Sequence, residues 1–230
     1  GLVGSEMCIR DSYNPFTLKF IHFDNRTLGN YRETNHLSVS VENSSYAVKE
    51  IINNGQLTLD GEIAKASINY FRKLSDNLTL NVSLPIYSFS KGFLDNPIEQ
   101  WHDLFGLSDG SRVDLPKSQL NFEVLSASNK QKINDSNIGI GDIQISTKLN
   151  FYSKNKSDLY FITSLEIPTG SKKKYFGNDE FDGLIALNLK NNLRDNLIIN
   201  SVFGVSIINQ NHNFIFRERN TSYFSKVLLS

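Results

Sequence analysis

Over most of its length this chain alternates apolar and polar residues with a period of two. In residues 141–151, Ile143, Ile145, Thr147, Leu149 and Phe151 oppose Asp142, Gln144, Ser146, Lys148 and Asn150. Successive side chains of a strand point to opposite faces, whereas a helix returns to the same face every three or four residues. The pattern therefore predicts strands over residues 36–42, 56–72, 78–86, 141–151, 159–167, 183–190 and 197–208. Residues 14–23 and 119–125 are weaker candidates, and the run YFSKVLLS near the end is also strand-like. A change of parity near Gly61 predicts a bulge or bend there. The runs are about 9–12 residues long, against ~5–6 for an ordinary globular strand and 9–11 for a membrane-crossing one.

The connections alternate in size. Short turns around residues 75–77, 154–157 and 194–196 separate two long excursions, 88–137 and 168–180. Short turns at one end and long loops at the other are the habit of outer-membrane barrels. Residues 119–125 then count as loop structure rather than as a full span. The fold expected is all-β: an antiparallel transmembrane-type β-barrel, a meander with one short helix set into a long loop. The polar faces carry Lys65, Asp142, Lys148, Glu166 and Lys190, which such a barrel would turn into its lumen. A soluble lipocalin-like barrel reverses the two faces, so alternation alone leaves both architectures open.

Lys+Arg and Asp+Glu are 24 each, which gives no field to attract nucleic acid. Hydrophobic residues make up 39% of the chain, and no run approaches the ~20 apolar residues of a spanning helix. The opening GLVGSEMCIRDS holds the only Met (Met7) and the only Cys (Cys8). It resembles translated sequencing-adapter read-through of the kind met in metagenomic proteins. Residues 1–12 are accordingly expected to be a non-native leader, followed by one barrel domain over residues 13–230, truncated at both ends. Cys8 is then no nucleophile or redox centre.

One segment breaks the alternation. In residues 93–106, Asp95 or Asn96 can cap a helix, Pro97 suits its first position and Gly106 its stop. Ile98, Trp101, Leu104 and Phe105 fall on one face, with Glu99, Gln100, His102 and Asp103 opposite. A helix this short needs its apolar face docked. A position on the barrel rim or lipid interface suits Trp101, and a plug in the barrel mouth is the sharper alternative. The string GFLDNPIEQWHDLFGLSDGSR resembles the hallmark segment of the domain of unknown function 3187 family of predicted bacterial outer-membrane barrels. GQLTLDGEIAKASINYFRKLSDNLTL, GIGDIQISTKLNF and LEIPTGSKKKYFG resemble its neighbouring blocks in the same order. The resemblance runs over residues 14–200 and implies an outer-membrane β-barrel, without an activity. Lys91 departs from the paired glycine expected before the helix.

Chemistry is sparse. His102 and Asp103, near Asp95 and Asp109, lack a second His at ligand spacing. The chain contains no G-x-S-x-G, P-loop or H-E-x-x-H. The acidic run 178–182 is a weak candidate for a divalent ion, and Lys172–Lys174 for lipopolysaccharide phosphates. No catalytic, cofactor or metal residue is assigned. The function expected is a passive channel or transport-type barrel with a polar lumen, in contact with outer-membrane lipid, lipopolysaccharide and small solutes. An outer-membrane hydrolase and a soluble ligand-binding barrel are the alternatives.

Overall fold

The computed structural model describes residues 15–16, 20–29, 34–52, 55–125, 130–194, 197–209 and 220–229. Two very long strands lead, β1 (Asn35–Ile52) and β2 (Gly55–Lys73), followed by β3 (Leu78–Ser90). Next come the helix α1 (Asp95–Phe105) and three short strands, β4 (Asn121–Leu125), β5 (Lys130–Ile133) and β6 (Asn137–Ile140). Five longer strands complete the order: β7 (Ile143–Lys154), β8 (Ser157–Ile167), β9 (Asp182–Arg194), β10 (Leu197–Ile207) and β11 (Thr221–Leu229).

All pairings are antiparallel and join the strands into one sheet. The main path is a meander, β1-β2-β3-β7-β8-β9-β10-β11, with β6 prolonging the line of β7 along β3. No ladder joins β1 to β11 among the described residues, so the sheet is not closed. It is nevertheless strongly rolled. Phe23 packs on Phe224 of β11 at 5.6 Å between ring centroids, and Arg26 bonds Ser40 of β1. Three residues span about 10 Å at most. Both edge strands therefore approach one short piece of chain.

The β1–β2 hairpin is about 60 Å long at the usual rise per residue, twice what a membrane crossing needs. One half of β2, Glu62–Lys73, pairs with β3. The other half, Gln56–Asp60, pairs with β4, and β5 extends that patch. Inside this upper end lies an apolar core of Tyr46, Leu59, Ile63, Tyr87, Phe89, Phe122 and Val124. Phe176, from the 168–181 connection, closes over it, 5.0 Å from Phe89 and stacked on Tyr87. A second core, Ile21 with Tyr160, Ile162, Leu184, Ala186 and Val202, lies against β8–β10.

Several local expectations need correction. Gly61 makes no bulge, because the β1–β2 register runs through it unbroken, with Tyr46 opposite. Its φ of +139° and a Cβ position 2.8 Å from Leu120 explain the glycine. The alternation changes there because the inner face turns from polar to apolar above it, while Asp60 and Glu62 are covered on the outer face. Register shifts lie instead between Asn150 and Tyr152 and between Leu197 and Ile198. Residues 20–23 are not a strand; they run inside the rolled sheet. The polar stretch after residue 125 contains β5 and β6, with residues 126–129 outside the described set. Residues 119–125 contribute only the five-residue β4, paired within the upper extension. No helix among the described residues is long and apolar enough to cross a membrane.

Candidate functional site

The rolled sheet presents its polar face inward and its apolar face outward. Asn69, Ser67, Ser146 and Asn188 are at most 1% exposed. On the opposite face Val39, Val41, Phe203 and Val227 are 61–74% exposed, and Ile68, Leu165, Ile185, Leu187 and Leu189 join them. Cross-strand register organises the inner face into rows. One row, Ser38, Asn69, Ser83, Gln144, Glu166 and Asp182, crosses six strands and is polar throughout. A neighbouring row holds Asn81, Ser146 and Ser164, with the two serine hydroxyls 2.8 Å apart. Asn188 donates to Asn200 at 3.1 Å.

Lys148, Glu166 and Lys190 lie on this inner face and are buried there, and Lys65 shares it. The Lys148 ammonium sits 5.0 Å over the Tyr160 ring. Glu166 stands opposite Asp182, two carboxylates side by side in the register. Asp182 is satisfied by Asn178 at 3.0 Å and the Asn209 N–H at 2.8 Å, whereas Glu166 Oε2 has no hydrogen-bond partner among the described residues. Ser67 Oγ, both amide atoms of Asn69, Asn81 Oδ1 and Asn188 Oδ1 share that condition. From sequence, Asn69, Ser83 and Gln144 stand out only as members of the polar parity, and Asp182 only as the end of the acidic run 178–182; their shared row depends on register.

Asp142 lies in the break between β6 and β7, at the loop end of the hollow. Its carboxylate accepts the Gly170 N–H at 2.7 Å and the Asn178 N–H at 3.3 Å. It thereby docks the 168–181 connection over the upper core. The fit is close: a Cβ on Gly170 would meet the Phe176 carbonyl oxygen at 2.4 Å, and one on Gly177 would meet Asp142 at 2.6 Å. The block LEIPTGSKKKYFG thus ends β8 at Ile167 and continues as a loop folded back on itself, with Lys172–Lys174 in a short turn.

Inside the hollow runs the segment 20–29. The Ile21 N–H reaches Asp182 at 3.4 Å, Gln144 donates to the His22 carbonyl at 3.2 Å, and Lys148 donates to the Gly29 carbonyl at 2.7 Å. Asp24 caps a single turn, Asn25–Leu28, and pairs with Arg26 at 2.9 Å.

Helix α1 instead lies outside, against the upper half of β1 and β2. The expected capping differs as well. Leu94 precedes the helix without a side-chain cap, while Gly106 ends it in the left-handed conformation as expected. Leu94 N–H donates to Glu62 at 2.5 Å. Asp95 is buried, paired with Arg112 at 2.7 Å and accepting the Ser118 N–H at 3.0 Å. Arg112 also donates to Ser45 at 2.8 Å. Polar groups therefore dock the helix. Ile98 is half-buried, but Trp101, Leu104 and Phe105 face outward, with Trp101 and Phe105 in contact at 4.5 Å. The expected docking of the apolar face fails because the sheet's outer surface here offers Glu62 and Ser45 rather than an apolar groove. His102 bonds Asp109 at 2.8 Å, and Asp103 is exposed. No group of three or more metal-ligating side chains occurs among the described residues. In the 178–182 run, Asn178 and Asp182 are bonded to one another.

The chain matches the family described as Protein of unknown function (DUF3187) over residues 38–227, and it belongs to that family. No curated protein and no solved structure matches it.

Proposed function

We propose that this protein is an outer-membrane β-barrel of passive-channel type, whose polar interior carries small solutes. The supporting observation is the inversion of its two faces: buried Asn, Ser, Lys and Glu inside, exposed Leu, Val, Ile and Phe outside. A soluble barrel buries the opposite face. About fifteen half-exposed aliphatic and aromatic side chains would forgo roughly 10–20 kcal/mol of burial in water. That is as much as the whole stability of an ordinary domain, about 5–15 kcal/mol. Against acyl chains the same surface costs nothing, and the hydrated interior satisfies the inward polar groups.

The excursion then takes a definite place. Trp101 and Phe105, turned outward beside the upper sheet, sit at the headgroup level where aromatic side chains are favoured. Lys172–Lys174, at the same end of the molecule, face lipopolysaccharide phosphates. Lys65, Lys148, Glu166 and Lys190 with the polar row line the solute path. Two measurements test this reading on the full chain. Heat-modifiable gel migration in detergent is the expected mark of a membrane barrel, and a water-soluble, heat-insensitive protein overturns it. Planar-bilayer conductance is the expected mark of a channel, and its absence from inserted protein overturns the transport reading.

A further inference from the structure

We propose that residues 20–29 are a displaceable plug that holds the hollow shut, so that the solute path opens when this segment leaves. The proposal rests on the reading of the hollow as a solute path. The segment crosses the polar row at Asp182 and Gln144 and continues to Lys148, four residues further along β7. It also bonds Ser40 of β1 through Arg26, packs Phe23 on Phe224 of β11, and sets Ile21 into the apolar core of Tyr160, Ile162, Leu184, Ala186 and Val202. One short piece of chain is thus fastened to walls on every side.

The fastening is of a kind that can be undone. The described strands are joined by continuous backbone ladders, whereas residues 20–29 share no ladder with the wall among the described residues and are held by side-chain hydrogen bonds and apolar packing. Within the segment two backbone–backbone bonds form, from the Thr27 N–H to the Asp24 carbonyl and from the Gly29 N–H to the Arg26 carbonyl. That turn can survive departure from the wall. A cavity of about 710 Å³ borders residues 20–23 and the β11 residues Phe224 and Lys226, which leaves room for displacement. Elements outside the sheet's ladder network are among those that open below the global unfolding threshold.

The test uses two variants of the full chain in a Cys8→Ser background. Gln144→Leu with Lys148→Met removes two wall donors and leaves the segment intact; a second variant replaces residues 20–29 with a Gly/Ser linker of equal length. Each carries Asn81→Cys on the inner row that the segment passes, probed with a bulky water-soluble maleimide, and each is assayed for bilayer conductance. Labelling at least roughly tenfold faster than in the parent is expected, the population shift that follows from losing one or two hydrogen bonds. Conductance should rise alongside it. Unchanged labelling in variants that keep heat-modifiable migration overturns the plug, whatever the conductance. Faster labelling with no conductance in any variant supports the plug and overturns the solute path. If the linker variant fails to fold, the double substitution decides alone.

Discussion

Arg112→Leu should melt the helix-bearing excursion and leave the sheet intact. Arg112 lies in the turn Gly110–Asp114, and its guanidinium joins Asp95 at 2.7 Å and Ser45 at 2.8 Å. The two ion-pair side chains are only 11% and 9% exposed. The Asp95 carboxylate also receives the Ser118 N–H and packs so closely on Gly92 that a Cβ there would lie 2.4 Å away. Removing Arg112 leaves a buried carboxylate with a single backbone donor. Breaking one partner of such a pair costs about 3–5 kcal/mol, most of it from the uncompensated charge. Asp95→Asn combined with Arg112→Leu should recover much of that loss, because the stranded charge is gone. Trp101 is the only Trp in the chain and sits on α1, so its emission reports this excursion alone. A urea titration followed by Trp101 should show an earlier transition in the single variant and partial recovery in the double. Heat-modifiable migration of the sheet should be unchanged in both. Lys117→Leu, which removes the exposed partner of Glu99, is the control. If Arg112→Leu moves the Trp101 midpoint no further than Lys117→Leu does, the buried pair is not what holds the excursion.

Gly170→Ala should free the 168–181 connection, since the new Cβ would collide with the Phe176 backbone at 2.4 Å. Overpacking of this kind costs about 1–3 kcal/mol, and trypsin cleavage after Lys172–Lys174 should accelerate in proportion to the open population. Burial holds the Asp142 carboxyl above its ordinary range, opposed by the N–H groups of Gly170 and Asn178. The folded protein then keeps this proton where the unfolded chain has released it, so stability falls as pH rises from the ordinary carboxylate range through the raised value. Asp142→Asn should flatten that slope in urea midpoints taken between acid pH and neutrality; an unaltered slope would assign it to another group. In bilayers, Trp101 emission should be quenched more by lipids brominated near the headgroup end of the chain than by lipids brominated deeper. Equal quenching at both depths would displace α1 from the interface.

Strand positions were readable because each long strand meets one environment per face, so burial and sequence parity coincide. Where a face changes environment along its length, the reading failed. Above Gly61 the inner face becomes apolar core and the outer face lies under the excursion, which looked like a bulge in the pattern. The upper half of β1, with Asn43, Ser44 and Ser45 in succession, shows no alternation, and only its ladder with β2 reveals it as strand. Residues 14–23 misled in the opposite way. NPFTLKFIHF has the composition of a strand, yet in its described part the chain is satisfied by wall side chains rather than by a neighbouring ladder.

The candidate site was harder still, because alternation is symmetric between the two faces. Nothing in a period of two says whether Asn69 or Ile68 points inward; either choice makes a consistent sheet. The three-dimensional fact that breaks the symmetry is where the other chain segments lie. Residues 20–29 and Phe176 enter on the side of Asn69, Gln144 and Lys148, so that side is the interior. Ile68 and its neighbours are left to whatever surrounds the protein. A polar interior that encloses residues 20–29 and an apolar exterior that no described residue covers are then two consequences of one choice of hand in rolling the sheet. The maleimide and conductance experiments probe the first, and heat-modifiable migration probes the second. A protein that proved soluble with its Ile68 face covered by another chain would reverse the assignment of solvent while leaving every register pair in place.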